Sequence, residues 1–179
     1  MFRMDDPFRY YLRVRYGECD AQKIVFNAQY GVYVDLAGLE FLRALGYGEV
    51  LMNGPLDYQV VKQTTQWKSS ARFDDVLQIA VEATALGTTS FTLACQIHVA
   101  GRPEPIATTE SVYVLVDAKT LEKTPLPADF RAALQSGAPG RHVNHADSTL
   151  RHGAPEAQLN SSRDHSEYPR QDSNLRPTV

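Results

Sequence analysis

The residues with the clearest chemical potential lie in the stretch RYGECDAQKIVFNAQY, from Arg15 to Tyr30. Asp20 supplies a carboxylate in a polar loop, and a segment of helical spacing begins shortly afterwards, near Asn27. A helix N-terminus presents unpaired backbone N–H groups and a partial positive charge, which suit an oxygen that gains negative charge during acyl transfer. A nearby carboxylate can attack the carbonyl carbon or deprotonate a water molecule. The pattern offers a minimal hydrolytic site, but an aspartate here could also be a turn residue that binds its own backbone.

Other common catalytic sites are not indicated. The sequence has no glycine-rich phosphate-binding pattern, no HExxH and no GxSxG. His98 is the only histidine before the last 40 or so residues, so an enzyme of the Ser-His-Asp or Cys-His type has little support. Cys19 adjoins an acid, which disfavours a thiolate, and is better explained as a small, half-buried residue. The remaining histidines match no ligand spacing, so we predict no metal; they are His142, His145, His152 and His165.

Length and composition favour one globular domain. The chain has 179 residues, 43% of them hydrophobic and 22% charged. A net charge of −3 and a pI near 5.9 give no reason to expect a nucleic-acid partner. No apolar run has transmembrane length and no secretory signal is apparent, so we expect no membrane insertion. The two cysteines form no redox pair, and a cytoplasmic location is expected.

The elements that must position Asp20 can be predicted from hydrophobic periodicity. Residues 8–16 alternate as a half-buried strand, and residues 28–45 have helical spacing, with Asn27 as a favoured N-cap and Gly46 as a stop. Gly31 and Gly38 are either tolerated helix glycines or points of close approach to a sheet or a second subunit. Four extended segments and a short helix follow: 56–73, 77–85, 91–99, 106–117 and 127–136. The order predicts an α+β fold in which an antiparallel sheet covers one long helix.

The last part of the sequence differs in character. From about Ala138 onwards apolar periodicity is lost, and charged residues, Ser, Asn, Pro and Gly dominate. We therefore predict a folded domain over residues 1–137 and a disordered C-terminal tail over residues 138–179.

Two sequence stretches resemble a known family. The segment YGECDAQKIVFNAQYGVYVDLAGLEFLRALG and the later ARFDDVL, Ala71 to Leu77, resemble the hotdog-fold acyl-CoA thioesterases of the 4-hydroxybenzoyl-CoA thioesterase type. Thr89-Ser90-Phe91 matches the next hairpin of that family. The resemblance covers about residues 8–136 and implies a hotdog fold, in which a five-stranded antiparallel sheet wraps one long central helix.

The resemblance also implies a function and a site. It implies hydrolysis of an aromatic or short-to-medium-chain acyl-CoA to a free acid and CoA, with no cofactor, since CoA is part of the substrate. Asp20 corresponds to the nucleophile or general base, and the backbone N–H of Asn27 to the group that polarises the thioester carbonyl. Phe26 and Tyr30 are expected as acyl-pocket walls, and Lys62 as a residue that reaches in from a strand. Because sites of this family lie at a dimer interface, a homodimer or homotetramer is expected.

One departure from the family keeps alternatives open. Some relatives carry basic residues just before the Ser-Phe of this hairpin, where residues 86–89 are Leu-Gly-Thr-Thr. The nucleotide would then need other cations, such as Lys68, Arg72 or Lys123, or the acyl group would arrive on acyl carrier protein. A non-catalytic hotdog module that binds acyl-CoA or acyl carrier protein is the main alternative. A hotdog dehydratase has less support, because no histidine accompanies Asp20.

Overall fold

The structure is a computed structural model that describes residues 6–146. A strand, β1, precedes a single turn of 3₁₀ helix at Tyr16–Glu18, and a long helix, α1, follows. The remaining elements are a short helix, four strands, a third helix and a very short last strand. Their bounds are β1 Phe8–Arg13, α1 Gln29–Ala44, α2 Gly48–Met52, β2 Leu56–Trp67, β3 Val76–Leu86, β4 Ser90–Val99, β5 Ala107–Asp117, α3 Ala128–Ser136 and β6 His142–Asn144.

The six strands of residues 6–146 form one sheet, in the order β2-β5-β4-β3-β1-β6. The first five strands in that order pair antiparallel, as the hotdog resemblance predicts. The sixth strand was not predicted: β6 pairs parallel to β1, with Arg9 opposite His142. Its three residues are too few for their alternation in exposure to indicate a strand.

The folded chain continues past the predicted domain end at residue 137. Ala138 and Ala146 are both buried, and the His145 amide donates to the Tyr11 carbonyl at 2.8 Å. The boundary therefore lies later than the loss of apolar periodicity suggests, because backbone pairing with β1 needs no apolar pattern. The rest of the predicted tail, residues 147–179, lies outside the described residues.

The core lies between α1 and the inner face of the sheet. Helical spacing brings one stripe of α1 onto the sheet, where Phe41 packs edge-to-face on Phe8 of β1 at 5.7 Å between ring centroids. The fully buried members of this stripe are Tyr30, Tyr33, Val34, Ala37, Phe41 and Leu42. Strands β3 and β4 contribute alternate residues to the same core. In the described part of the chain, no helix is long and apolar enough to cross a membrane.

The ends of α1 differ slightly from the prediction. Asn27 was predicted as the N-cap, but Ala28 holds that position and the first helical residue is Gln29. The residues before the helix already curl into a turn, in which the Gln29 amide donates to the Phe26 carbonyl at 2.9 Å. At the other end, Gly46 has φ +88, a left-handed conformation that glycine adopts without strain and that stops the helix.

The packing of β4 yields a prediction about thiol reactivity. Cys95 is 2% exposed, and burial, followed by the charge of Asp35, raises the pKa of its thiol to about 12. Because the thiolate is the reactive form, we expect Cys95 of the native protein to resist alkylation at mildly alkaline pH. Native and denatured protein would be alkylated and the labelled peptides counted by mass spectrometry, with Cys19→Ala as the variant that isolates Cys95. Rapid labelling of native Cys19→Ala would contradict the described packing.

Candidate active site

Asp20 lies at the start of a tight turn between the 3₁₀ turn and α1. The Asp20 amide donates to the Ile24 carbonyl at 2.9 Å. The Asp20 carbonyl accepts from the Lys23 amide, also at 2.9 Å. Lys23 closes the turn with φ +61. Next to the turn, Cys19 and Val25 form an isolated antiparallel bridge. The backbone around Asp20 is therefore held at both sides of the turn.

The two oxygens of the Asp20 carboxylate have different surroundings. Oδ1 accepts a hydrogen bond from the Gln22 amide at 2.8 Å, which is the turn role that a loop aspartate often has. Oδ2 accepts no hydrogen bond and forms no ion pair within residues 6–146. The turn role and a chemical role are thus compatible, because one oxygen fixes the side chain and the other is left for chemistry.

A cavity of about 460 Å³ brings most of the predicted site residues together. Asp20, Phe26, Asn27 and Tyr30 all line it, whereas Lys62 does not and is exposed on β2. We call this space the loop cavity; its other walls are Gln22, Ile24, Val25, Trp67, Lys68, Ser69 and Ser70. The contribution of Lys62 to a site stays a prediction.

The two residues just before α1, Asn27 and Ala28, lie at the loop cavity and at the smaller cavity next to it. The first turn pairs Gln29 with Phe26, and the Gly31 amide donates to the Ala28 carbonyl at 3.2 Å. Within residues 6–146, the amides of Asn27 and Ala28 donate to no acceptor. Asn27 lines the loop cavity and also a second cavity of about 270 Å³ between α1 and β2, which shares Trp67 with it. An anionic oxygen in this space would meet unpaired N–H donors and the positive end of a helix of 16 residues.

The two aromatic residues predicted as pocket walls differ in exposure. Phe26 is 53% exposed, so its ring is free to contact a bound molecule. Tyr30 is 2% exposed, and its hydroxyl accepts a hydrogen bond from the Ala71 amide at 3.2 Å. The Ala71 carbonyl in turn accepts from the Val25 amide at 2.9 Å. Tyr30 and Ala71 thereby tie the segment after β2 to the turn that carries Asp20.

A second tie joins the turn to α1. The Glu18 carboxylate accepts the Tyr33 hydroxyl and the Arg15 amide, both at 2.7 Å. Burial, followed by this hydrogen bond, raises the pKa of Tyr33, so the hydroxyl remains a donor. The Glu18 carbonyl also accepts from the Phe26 amide at 2.9 Å. Glu18 therefore fixes the position of Asp20 relative to the first turn of α1.

Several residues of the loop cavity were not predicted to belong to a site. Trp67, Ser69 and Ser70 lie in the predicted extended segment 56–73, which has no sharp apolar face, so no local pattern points to them. Lys68, which the sequence suggests only as a cation for a nucleotide, lines the cavity together with Asp20. None of the lining residues is a histidine. Across residues 6–146, no three His, Cys, Asp or Glu side chains are grouped as a metal ion would require.

Comparison with known proteins gives consistent matches. The sequence profile of the thioesterase-like superfamily matches residues 14–134, which include Asp20 and Asn27. Over 126 residues the chain is 31% identical to the acyl-CoA thioester hydrolase YbgC of Escherichia coli O6:H1, with 70% of this chain and 93% of the relative covered.

Solved structures agree with this match. A gentisyl-coenzyme A thioesterase superposes with a TM-score of 0.64 at 29% identity, covering 70% of this chain and 98% of its own. A 1,4-dihydroxy-2-naphthoyl-CoA thioesterase from Synechocystis superposes with a TM-score of 0.64 at 19% identity, covering 71% and 94%. At 19% identity, the likeness to the Synechocystis protein establishes a shared fold alone.

The tie between Tyr30 and Ala71 yields a stability prediction. Tyr30→Phe keeps the ring but leaves the Ala71 amide buried without its acceptor, which costs about 1–3 kcal/mol. We expect the free energy of unfolding, measured by urea denaturation, to fall by that amount. Tyr16→Phe is the matched control, because the Tyr16 ring is 82% exposed and its hydroxyl should contribute little. Equal stability of the two variants would mean that the hydrogen bond does not hold the loop.

Proposed function

Because the chain belongs to the thioesterase-like superfamily, we propose that it hydrolyses an aromatic or short-to-medium-chain acyl-CoA thioester to the free acid and CoA. One observation carries the proposal: Asp20, whose Oδ2 accepts no hydrogen bond within residues 6–146, and Asn27, whose amide has no acceptor there, line the same cavity. The Escherichia coli relative is an acyl-CoA thioester hydrolase by name, which supports acyl-CoA as the substrate class. Two superposed thioesterases act on aromatic acyl-CoA substrates by name, which supports an aromatic acyl group.

The proposed reaction uses two groups of this chain. As the thioester carbonyl carbon is attacked, its oxygen gains negative charge and accepts a hydrogen bond from the Asn27 N–H. Donors of this kind typically contribute a hundredfold or more in rate, about 10²–10³. The dipole of α1 acts in the same direction. The Asn27 side chain has no part in this, since the donor is its backbone amide.

Two routes use the free oxygen of Asp20. As a nucleophile, it bonds to the carbonyl carbon while the carbon–sulfur bond breaks; CoA leaves as a thiolate that takes a proton from solvent, and water then hydrolyses the acyl-aspartate. As a general base, it takes a proton from a water that attacks the same carbon, and that proton goes on to the thiolate of the departing CoA. Both routes give one free acid and one CoA, and neither requires a cofactor.

The loop cavity also bears on the alternatives. A dehydratase of this fold would pair an acid with a histidine, and no histidine lines the cavity. A non-catalytic acyl-binding module would bind an acyl-CoA analogue without turnover of the thioester.

Phe26 is proposed to contact the acyl group, since its ring is exposed at the cavity, whereas Tyr30 positions the loop. We retain a cytoplasmic location as part of the proposal, supported by two free cysteines.

The Asp20 assignment predicts a large kinetic effect. In Asp20→Asn, the amide oxygen can still accept from the Gln22 amide, so the turn should persist, but nucleophile and base are lost. We expect kcat on a panel of aromatic and aliphatic acyl-CoA substrates to fall by about a hundredfold or more, with unchanged stability. Asp117→Asn is the matched control, because Asp117 also accepts backbone amides in a turn but lies outside the cavity. Undiminished turnover by Asp20→Asn would refute the role.

We also propose a homodimer, or a homotetramer built from dimers, with β2 at the interface. β2 is an edge strand of 12 residues, so one side of its backbone is unpaired by the sheet. Val60 and Val61 on this edge are 52% and 59% exposed. Val32 and Leu36, on the neighbouring side of α1, are exposed as well. A second copy that pairs along β2 would cover both apolar surfaces and close the space between α1 and β2.

The dimer proposal is tested by mass in solution. By light scattering after gel filtration, the full chain should have an even multiple of the 20.0 kDa protomer mass. The double variant Val60→Asp, Val61→Asp places two charges on the edge and should shift the mass to that of a monomer. Leu121→Asp, at a residue 56% exposed in another part of the chain, should not. A monomeric wild-type protein would contradict the proposal.

A further inference from the structure

The space between α1 and β2 is divided into two cavities that share no lining residue. The smaller cavity, of about 270 Å³, begins at Asn27 and Trp67, two residues that also line the loop cavity. Four residues further along each element, it reaches Gly31 of α1 and Gln63 of β2. The larger cavity, of about 620 Å³, follows further along α1. Its apolar walls include Leu36, Leu39, Leu42 and Leu51.

Gln63 fills the gap between β2 and α1 where the two cavities are separated. A Cβ on Gly31 would lie 3.2 Å from Gln63 Oε1, so the side-chain amide of Gln63 packs against the helix where no side chain intervenes. In the other direction, Gln63 Nε2 donates to Ser111 Oγ of β5 at 3.0 Å. Gln63 is exposed on an edge strand, whereas Ser111 is fully buried. An otherwise mobile side chain is thus held across the end of the smaller cavity by a hydrogen bond to a buried partner.

This hydrogen bond belongs to a short row of polar pairs between β2 and β5. Thr109 and Ser111 are the two buried polar residues of β5, and each is paired with a side chain of β2. Thr65 Oγ1 lies 3.1 Å from Thr109 Oγ1, next to the pair formed by Gln63 and Ser111. Both β2 residues line the smaller cavity. Buried polar pairs that are fully satisfied hold side chains in one position, so the wall of this cavity is a fixed one.

The two ends of an acyl-CoA substrate need different surroundings. The CoA arm is long and polar, and it must lead out to solvent. The loop cavity suits that arm, because Lys68, Ser69 and Ser70 are among its walls. From a carbonyl at the Asn27 amide, the direction that remains for the acyl group is along α1, into the smaller cavity. Phe26, which adjoins Asn27, then contacts the part of the acyl group next to the carbonyl.

We propose that Gln63 forms the end of the acyl pocket and restricts the protein to short acyl groups. This inference rests on the proposed function, since it places the thioester carbonyl at the Asn27 amide. Residues 27 and 31 are about 6 Å apart along a helix axis. An extended chain advances roughly 1.2 Å per bond, so about five bonds fit in this length. A longer acyl group has to displace Gln63 and deprive the buried Ser111 hydroxyl of its donor, which weakens binding.

The test compares two straight-chain substrates that differ only in length. The kcat/KM would be measured for butanoyl-CoA and octanoyl-CoA, and we expect the wild type to prefer butanoyl-CoA by about tenfold or more. In Gln63→Ala the two cavities join, so octanoyl-CoA should be hydrolysed faster and the ratio should fall by about tenfold. Gln66→Ala is the matched control, because Gln66 is an exposed glutamine of the same strand that lines none of the three cavities. Its ratio should equal that of the wild type.

A second variant tests whether Ser111 acts by positioning Gln63. Ser111→Ala keeps the bulk of Gln63 but releases it, so the ratio should fall by less than in Gln63→Ala. The double variant should have the same ratio as Gln63→Ala alone, because nothing is left for Ser111 to hold. Additive effects of the two substitutions on the ratio would refute the positioning role. A ratio of two substrates on one protein is unaffected by a general loss of folded protein.

Binding of ketone analogues, in which a methylene group separates the carbonyl from sulfur, distinguishes failure of this inference from failure of the proposed function. If the wild type prefers the butanoyl analogue, Gln63→Ala loses that preference and no thioester is hydrolysed, the inference stands and the proposed function fails. If thioesters are hydrolysed with the same ratio by the wild type and Gln63→Ala, the proposed function stands and the inference is overturned. A wild-type preference for the octanoyl chain, or failure to bind either analogue, also overturns it.

Discussion

The structure depends on one juxtaposition: the Asp20 carboxylate lines the same cavity as Asn27, which carries an unpaired amide just before a long helix. Helix termini always leave such amides, and in most proteins a capping side chain or water satisfies them. Here no side chain caps α1, and the amides of Asn27 and Ala28 have no acceptor within residues 6–146. The electrostatic preference of this space for a negatively charged oxygen is thereby set by the fold itself.

The rest of the fold keeps Asp20 and the N-terminus of α1 in fixed positions relative to each other. The core stripe of α1 fixes the helix on the sheet, and Tyr30 and Tyr33 extend from that stripe to the loops at its N-terminus. Tyr33 reaches Glu18, two residues before Asp20, and Tyr30 reaches Ala71, whose carbonyl holds Val25. Both tyrosines are buried, so their hydrogen bonds are shielded from water. Hydrogen bonds are stronger in such a low-dielectric environment. A small turn is in this way attached to a large, rigid element.

The sequence predicted those elements of the fold whose physical cause lies within a short stretch of the chain. The long helix, its stop at Gly46 and the β3–β4 hairpin all follow from short patterns. The residues alone also single out Asp20 and a helix N-terminus near Asn27, and the resemblance adds the expected role of each. The position of the N-cap was off by one residue, because the chain before α1 curls early. β6 could not be predicted, since its pairing with β1 joins residues distant in sequence and buries little apolar surface. The same holds for Trp67 and the serines of the loop cavity, which only tertiary packing brings next to Asp20.

The central claim is that the thioester carbonyl is bound between Asp20 and the Asn27 amide. A crystal structure of the protein with a ketone analogue of an acyl-CoA, in which a methylene group separates the carbonyl from sulfur, tests it most directly. The account predicts that the carbonyl oxygen accepts a hydrogen bond from the Asn27 N–H at about 2.9 Å. It also predicts that the free oxygen of Asp20, or a water bound to it, lies about 3–3.5 Å from the carbonyl carbon. A carbonyl that is bound away from the N-terminus of α1 would contradict the account.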